Sequence, residues 1–438
     1  MFDFVHMVNF RSFGDTTLDL TNRSGYPKNL VLIYGENGSG KTNIASAFYL
    51  LDRLLSTMNV RAIVDQLLQE NPDLPNEDYY PAIKELILDM PRLIRDNKMI
   101  NSDGNMVLEF GFFVDGAHGT YAVETNDTEI VREQLIYRLV KNKTVCFDIT
   151  PEKMLINPKL FKTKETYREI LDATKKYWGK HSFLSILLYE MHDKAASYIN
   201  QQVTDSFHKV VSSFLNISLK TSFPSNHQEG NLFAHKNMLH DYSSGIIEEN
   251  EVDTLNNNEV MLNSFLKSIS HNTIRVFYKK TPIKGRIKYQ LYHTKIIAGK
   301  ARDIPFSLES TGTKALVELI PYLLVPLNGG VSIIDEFETG LHTGVTKSLI
   351  KSLSKDLNGQ LILTTHATIL MESLYAKNIY IINEFQDGLK EIKPITYYDS
   401  NLNENTNISK RYLEGAFGGM PAQNTNIDFS SLLKLIEP

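Results

Sequence analysis

Asn29-Leu30-Val31-Leu32-Ile33-Tyr34-Gly35-Glu36-Asn37-Gly38-Ser39-Gly40-Lys41-Thr42 decides how the chain is read. The apolar run Leu30 to Tyr34 suits a short strand buried on both faces. The residues after it fit G-x-x-x-x-G-K-[ST]. A loop of that spacing turns successive backbone N–H groups inward around phosphate oxygens. The helix that follows, expected from about Thr42 to Leu55, points its positive end at the same anion. Gly35, Asn37, Gly38, Ser39, Gly40, Lys41 and Thr42 are therefore candidate phosphate-binding residues. Lys41 would reach the terminal phosphates of a nucleotide, and the Thr42 hydroxyl would ligate Mg²⁺.

Working outward, Val331-Ser332-Ile333-Ile334 reads as a second buried strand, with Asp335-Glu336 at its carboxyl tip. In an open α/β sheet that tip faces the ligand. Asp335 is a candidate Mg²⁺ residue, and Glu336 a candidate base for an attacking water. A third buried strand, Gln360 to Thr364, ends in Thr365-His366, which puts His366 within reach of the same site. Ser307-Leu308-Glu309-Ser310-Thr311-Gly312-Thr313-Lys314 opens a helix expected from about Gly312 to Leu324. There Ser310 and Gly312 suit either a helix cap or an anion.

Buried strands alternating with helices at both ends of the sequence predict one α/β core interrupted by an insertion. The expected divisions are 1–150, the N-terminal part of the core with an antiparallel β subdomain, 151–272, a mostly helical insertion suited to partner or oligomer contact, and 273–438, the C-terminal part of the core. Met106 to Phe110, Tyr121 to Thr125 and Gln134 to Tyr137 are the expected strands of the β subdomain. Residues 60–100 read as helical, with breaks near Pro72, Pro75 and Pro91, and 225–260, rich in Asn, His, Ser and Glu, as holding an exposed loop.

The 438 residues carry a net charge of −5, so the molecule is not a polycation built to coat nucleic acid. The local run Lys279, Lys280, Lys284, Arg286, Lys288 fits either a nucleic-acid contact or the solvent face of a hairpin. The single cysteine, Cys146, excludes a disulfide framework and fits a reducing, cytoplasmic setting. No basic, apolar leader is seen, and no apolar run approaches the ~20 residues that span a bilayer.

In order and spacing these motifs resemble the ABC-type ATPases of the SMC, RecF and OLD kind. The likeness is best to their compact AAA-type members in bacterial defence operons, such as the ATPase subunits of the PARIS and Septu phage-defence systems. It covers the first 60 residues and residues 300–420. Asn9-Phe10-Arg11-Ser12-Phe13 matches the opening motif of that group, whose basic residue, here Arg11, tends to lie near the nucleotide. Ser310 to Lys314 matches a degenerate signature motif and Asp335-Glu336 a Walker B pair. Gly340-Leu341-His342 falls at the D-loop and Thr365-His366 at the switch histidine.

The resemblance implies ATP and Mg²⁺ as ligands, with Lys41, Glu336 and His366 in the catalytic roles. It also implies ATP sandwiched between two copies, with Ser310 and Gly312 acting in trans. The expected partners are thus the chain itself, as a dimer or higher oligomer, a separately encoded effector, and a phage-derived trigger. The middle lacks the heptads of a coiled-coil arm. The stretch after His366, with Asp399 and Glu404, does not supply the acidic clusters of a Toprim nuclease, so no intrinsic nuclease is expected. Gln134 is one candidate for the Q-loop. The tail Tyr412 to Gly419 looks like the closing segment of the defence ATPases, with no chemistry assigned. The alternative is a RecF-like DNA-repair ATPase acting on DNA directly.

Overall fold

The computed structural model describes residues 1–70, 89–139, 142–192, 202–221, 239, 241–402, 406–419, 429–430 and 435. In chain order, β1 (Phe2–Phe10) and β2 (Phe13–Asp19) form a hairpin, and β3 (Leu30–Tyr34) leads into the helix Lys41–Glu70. A meander follows: β4 (Met106–Val114), β5 (Ala117–Thr125), β6 (Ile130–Arg138), β7 (Lys143–Ile149) and β8 (Met154–Ile156). Next come β9 (Ile217–Lys220), β10 (Ser244–Glu248), β11 (Thr273–Ile283), β12 (Arg286–Ile297) and β13 (Lys300–Pro305). Last are β14 (Val331–Ile334), β15 (Gln360–Thr364), β16 (Ile379–Glu384) and β17 (Lys390–Pro394).

These strands build an α/β fold with three sheets. The core sheet runs β17-β16-β3-β15-β14-β9, parallel except for β17. Every residue of β3, β14 and β15 is buried. That burial is why these strands read as continuous apolar runs rather than alternating ones. Val31 and Ile33 face the helix after the glycine loop, and Leu30, Leu32 and Tyr34 face the helices of the C-terminal part. The second sheet, β2-β1-β4-β5-β6-β7-β8, is antiparallel throughout. It packs on the other side of that helix, with Phe2 and Phe48 edge to face at 5.0 Å. Gln360, fully buried, pins the two sheets together: its side chain accepts from Phe2 N at 2.8 Å and donates to Phe2 O at 2.9 Å and Lys28 O at 3.1 Å. The third sheet, β10-β12-β11 with β13 on β12, packs on the helix Thr311–Leu324.

The structure corrects several local expectations. The helix after the glycine loop continues to Glu70 rather than ending near Leu55. No proline intervenes before Pro72 to remove a ladder donor. The break expected near Pro91 falls just before it: Asp89 is extended and caps the helix Met90–Asn97 through Arg92 N at 2.8 Å, and Pro91 sits in the first turn, which needs no N–H from it. Pro72 and Pro75 lie outside the described residues. β9, from the stretch expected as a helical insertion, is the edge strand of the core sheet, paired with β14. The described part of 225–260 holds β10 and the start of the helix Val252–Ile269; residues 225–238, where the expected loop would fall, lie outside the described residues.

Glu133 marks the point where β6 meets the helical stretch. It is fully buried and accepts from Tyr121 Oη at 2.9 Å, Trp178 Nε1 at 3.0 Å and Phe183 N at 2.6 Å. Burial outweighs these donors and pushes its pKa from 4.5 to about 7. A folded-state pKa raised in this way makes stability highest below the unfolded value and lower as pH climbs toward 7. Glu133→Gln can keep three hydrogen bonds, since the Tyr121 hydroxyl can turn to accept. The variant should match the wild type near pH 5 and exceed it near pH 8, by up to about 3 kcal/mol. Thermal melts at the two pH values check the crossover.

Candidate functional site

β3 delivers the glycine loop at the carboxyl edge of the core sheet, flanked by the tips of β15 and β16. Gly38 and Gly40 have φ of +82° and +111°, conformations that L side chains rarely adopt. A Cβ on Gly40 would also stand 2.8 Å from Cζ of Phe13. The loop thus needs its glycines both for its turn and for the N-terminal hairpin pressed against it. Lys41 folds back on its own loop, donating to the carbonyls of Gly35 and Glu36 at 2.8 Å each. Ser39 Oγ is buried and has no hydrogen-bond partner among the described residues. Concave loop backbone, a lysine at its mouth and an orphaned hydroxyl are the donor set that a nucleotide phosphate requires.

The acidic pair sits where β14 ends. Asp335 Oδ1 accepts from the Thr364 hydroxyl at the tip of β15. The same Thr364 oxygen accepts from Glu336 N at 2.9 Å, and Thr364 O accepts from Phe337 N at 3.1 Å. Glu336 is held with φ of +52°, in the left-handed region, and its side chain is exposed. Backbone strain of this kind persists only where neighbours over-determine it, and here Thr364 and buried Phe337 do so. Glu338 adds a third carboxylate, whose Oε1 accepts from His366 N at 2.5 Å.

Electrostatics shows that these groups share one space. Burial lowers the pKa of Lys41, and Asp335, Glu336, Glu338 and Glu36 oppose that shift. Burial and the Lys41 charge hold His366 below the ordinary imidazole value, against the pull of Glu338, Glu336 and Asp335. A histidine so placed is neutral at neutral pH. Thr42 and Asp335 suit Mg²⁺, which keeps most of its water and takes few protein ligands.

The remaining sequence candidates fall around this centre. Arg11, with φ of +49°, donates from Nε to Asn97 Oδ1 at 2.9 Å, and its neighbour Ser12 accepts from Asn43 Nδ2 at 2.7 Å. Ser310 caps the helix Thr311–Leu324 through Thr313 N at 3.2 Å. Gly312 lies against the turn at Gly340, its Cβ position 3.0 Å from Gly340 O. Gln134 stands on β6 between Ala122 and Asp148 of the neighbouring strands.

Four residues were not legible in the sequence as site residues: Ser12, Thr364, Glu338 and Lys390. Lys390, on β17, has a buried ammonium that donates to Ser12 Oγ and to Gly38 O, both at 3.1 Å, and pairs with Glu384 at 3.3 Å. The tail also belongs here. Tyr412 lies 5.9 Å from Tyr34, whose hydroxyl donates to Ala367 O at 3.2 Å, and Asn383 Nδ2 donates to Phe417 O at 3.1 Å. A lone lysine on a short strand carries no sequence signal, and only the pairing of β17 beside β16 shows what Lys390 touches.

Fold and loop together define a phosphate-loop nucleotide-binding protein. The chain belongs to the AAA ATPase domain family, which it matches over residues 1–371. It is 34% identical over 90 residues to the "Retron Vc95 probable ATPase" of Vibrio cholerae serotype O1 biovar El Tor, a match covering 20% of this chain and 18% of that protein. Among solved structures it is similar to the SMC head domain from Thermotoga maritima, with 15% identity and a TM-score of 0.39 over 90% of this chain and 98% of that one. It is also similar to an SMC head bound to the C-winged helix domain of ScpA, with 13% identity and a TM-score of 0.43 over 90% and 97%. No helix among the described residues is long and apolar enough to cross a membrane.

Lys390→Met would release Gly38 O and Ser12 and leave Glu384 unpaired, so ATP affinity should fall on the order of tenfold. Glu384→Gln, at a side chain that is itself half exposed, should cost less. Titration with a fluorescent ATP analogue measures both.

Proposed function

We propose that this chain is the ATP-binding and ATP-hydrolysing sensor subunit of a bacterial anti-phage defence system, one that assembles as an oligomer and controls a separately encoded effector. The observation that carries the ATPase reading is the Thr364 hydroxyl bridging Asp335 and the Glu336 backbone. It fixes the acidic pair on the edge where Lys41 and His366 sit. The loop N–H groups and Lys41 bind the phosphates, and Thr42 and Asp335 hold the cation. Bound there, Mg²⁺ and ATP supply the γ-phosphoryl group and its charge neutralisation. Glu336 accepts the proton of the attacking water, and neutral His366 orients it by hydrogen bonding. Arg11 adds a cation beside the nucleotide from the N-terminal hairpin.

Ser310 is exposed on the surface, which supports its completing the site of a second copy together with Gly312. A lone chain is then a poor ATPase, and the helical stretch within 151–272 is available for partner contact. The reading includes no nuclease of its own and a cytoplasmic setting. The defence role rests on the resemblance of the motif set, supported by the shared stretch with an ATPase named for a retron.

A second reading, direct DNA binding as in RecF-like repair, is favoured by one observation. Lys279, Lys280, Lys284, Arg286 and Lys288 are exposed along the β11–β12 hairpin, although Arg286 pairs with Glu248 at 2.7 Å. Salt-sensitive DNA binding that vanishes on replacing Lys284, Arg286 and Lys288 would select it.

Glu336→Gln should bind ATP, turn it over at least 100-fold more slowly (on the order of other lost catalytic bases) and accumulate as the ATP-bound oligomer. Lys41→Ala, on its own, should lose both ATP binding and ATP-dependent assembly. Sizing by light scattering with and without ATP reads both, and wild-type turnover in Glu336→Gln would remove Glu336 from its role.

A further inference from the structure

Glu309, the residue before Ser310, is a carboxylate with only 3% of its side chain exposed. Its Oε2 accepts from Lys295 Nζ at 2.8 Å and from Ser310 N at 3.1 Å. Its Oε1 lies 2.9 Å from Nδ1 of His293, which is fully buried. The other ring nitrogen of His293 is 2.9 Å from Thr273 Oγ1. His293 and Lys295 belong to β12 and Thr273 to β11, so one carboxylate joins the third sheet to the first residue of the signature segment. Burial alone would drive such a carboxyl upward, yet Lys295, Ser310 N and His293 outweigh it and hold the pKa below the usual value. The group is thus a buried, paired charge, of the kind that is strongly destabilising when one partner is removed.

The apolar contacts run the same way. Val317 and Ile320 of the signature helix share a core with Val276, Leu291 and Phe306. That core fixes the distance between sheet and helix. It does not fix the rotation of the helix start, because apolar contact is non-directional. The directional bonds are those of Glu309.

We propose that Glu309 is a positioning residue of the ATPase: it sets the signature segment through the Ser310 N–H and ties that segment, through Lys295, to the β11–β12–β13 sheet. Whatever displaces that sheet, a partner protein or a nucleic acid on its basic hairpin, then acts on the signature half of the ATP site. The inference rests on the reading above in which Ser310 and Gly312 complete the site in trans.

Glu309→Gln keeps the volume and an acceptor for Ser310 N but removes the charge that Lys295 faces. The full chain carrying it should bind ATP as the wild type does and turn over on the order of tenfold more slowly. Mixed with the Lys41→Ala chain, it should turn over faster than either variant does alone, since each mixed pair holds one sound loop facing one sound signature. Ser310→Arg mixed with Lys41→Ala is the control for the trans arrangement.

If Ser310→Arg is rescued and Glu309→Gln turns over like the wild type, Glu309 positions nothing, and the trans reading stands. If neither variant is rescued, the trans reading itself fails. If Glu309→Gln loses ATP binding, or stays inactive in the mixture while Ser310→Arg recovers, its effect is on the whole fold and the proposal is overturned. Lys295→Met should reproduce the Glu309→Gln defect, and wild-type turnover in it would break the link to the sheet.

Discussion

β3 has no exposed face and no free edge. It is hydrogen-bonded between β15 and β16, with one core of side chains above it and another below. A strand held in this way can release its polar backbone only at its ends, so the glycine loop emerges at a fixed place and in a fixed direction. The rest of the site is arranged from that point. β15, beside β3, brings Thr364 and His366 to the same edge. β14, one strand further, brings Asp335 and Glu336, and the Thr364 hydroxyl locks the two tips together.

Two further contacts attach the N-terminal hairpin to this frame. Gln360 bonds both backbone groups of Phe2, and Lys390 links Ser12 to the carbonyl of Gly38. The antiparallel sheet therefore follows the nucleotide loop rather than hanging beside it. The segment around Ser310 belongs instead to the third sheet and its helix, joined by Glu309 and an apolar core. In the proposed reading the two halves of an ATP site would then lie on two differently anchored surfaces. That arrangement suits a composite site between copies, where each half answers to different contacts.

Much of this was legible in the sequence. The glycine loop, the Asp335-Glu336 tip, the Thr365-His366 tip and the start of the helix Thr311–Leu324 all stand out, because each joins an apolar run to a few polar residues of narrow chemistry. The antiparallel sheet was legible from period-2 alternation in β4, β5 and β6. What escaped had no local pattern. β9 is a short run, Ile217 to Lys220, that looks like the end of a helix and becomes a strand only because β14 offers it an edge.

The sequence alone determined that the chain carries a phosphate loop and an acidic strand tip, since both are set by backbone freedom and side-chain type within a few adjacent residues. Tertiary structure alone decided which distant residues complete them. Thr364, Glu338, Lys390 and Glu309 bond to groups from 14 to 352 positions away, and burial makes the single charge of Glu309 matter. Hydrogen bonds of 2.5 to 3.1 Å depend on where strands lie, and strand order is a property of the whole folded chain.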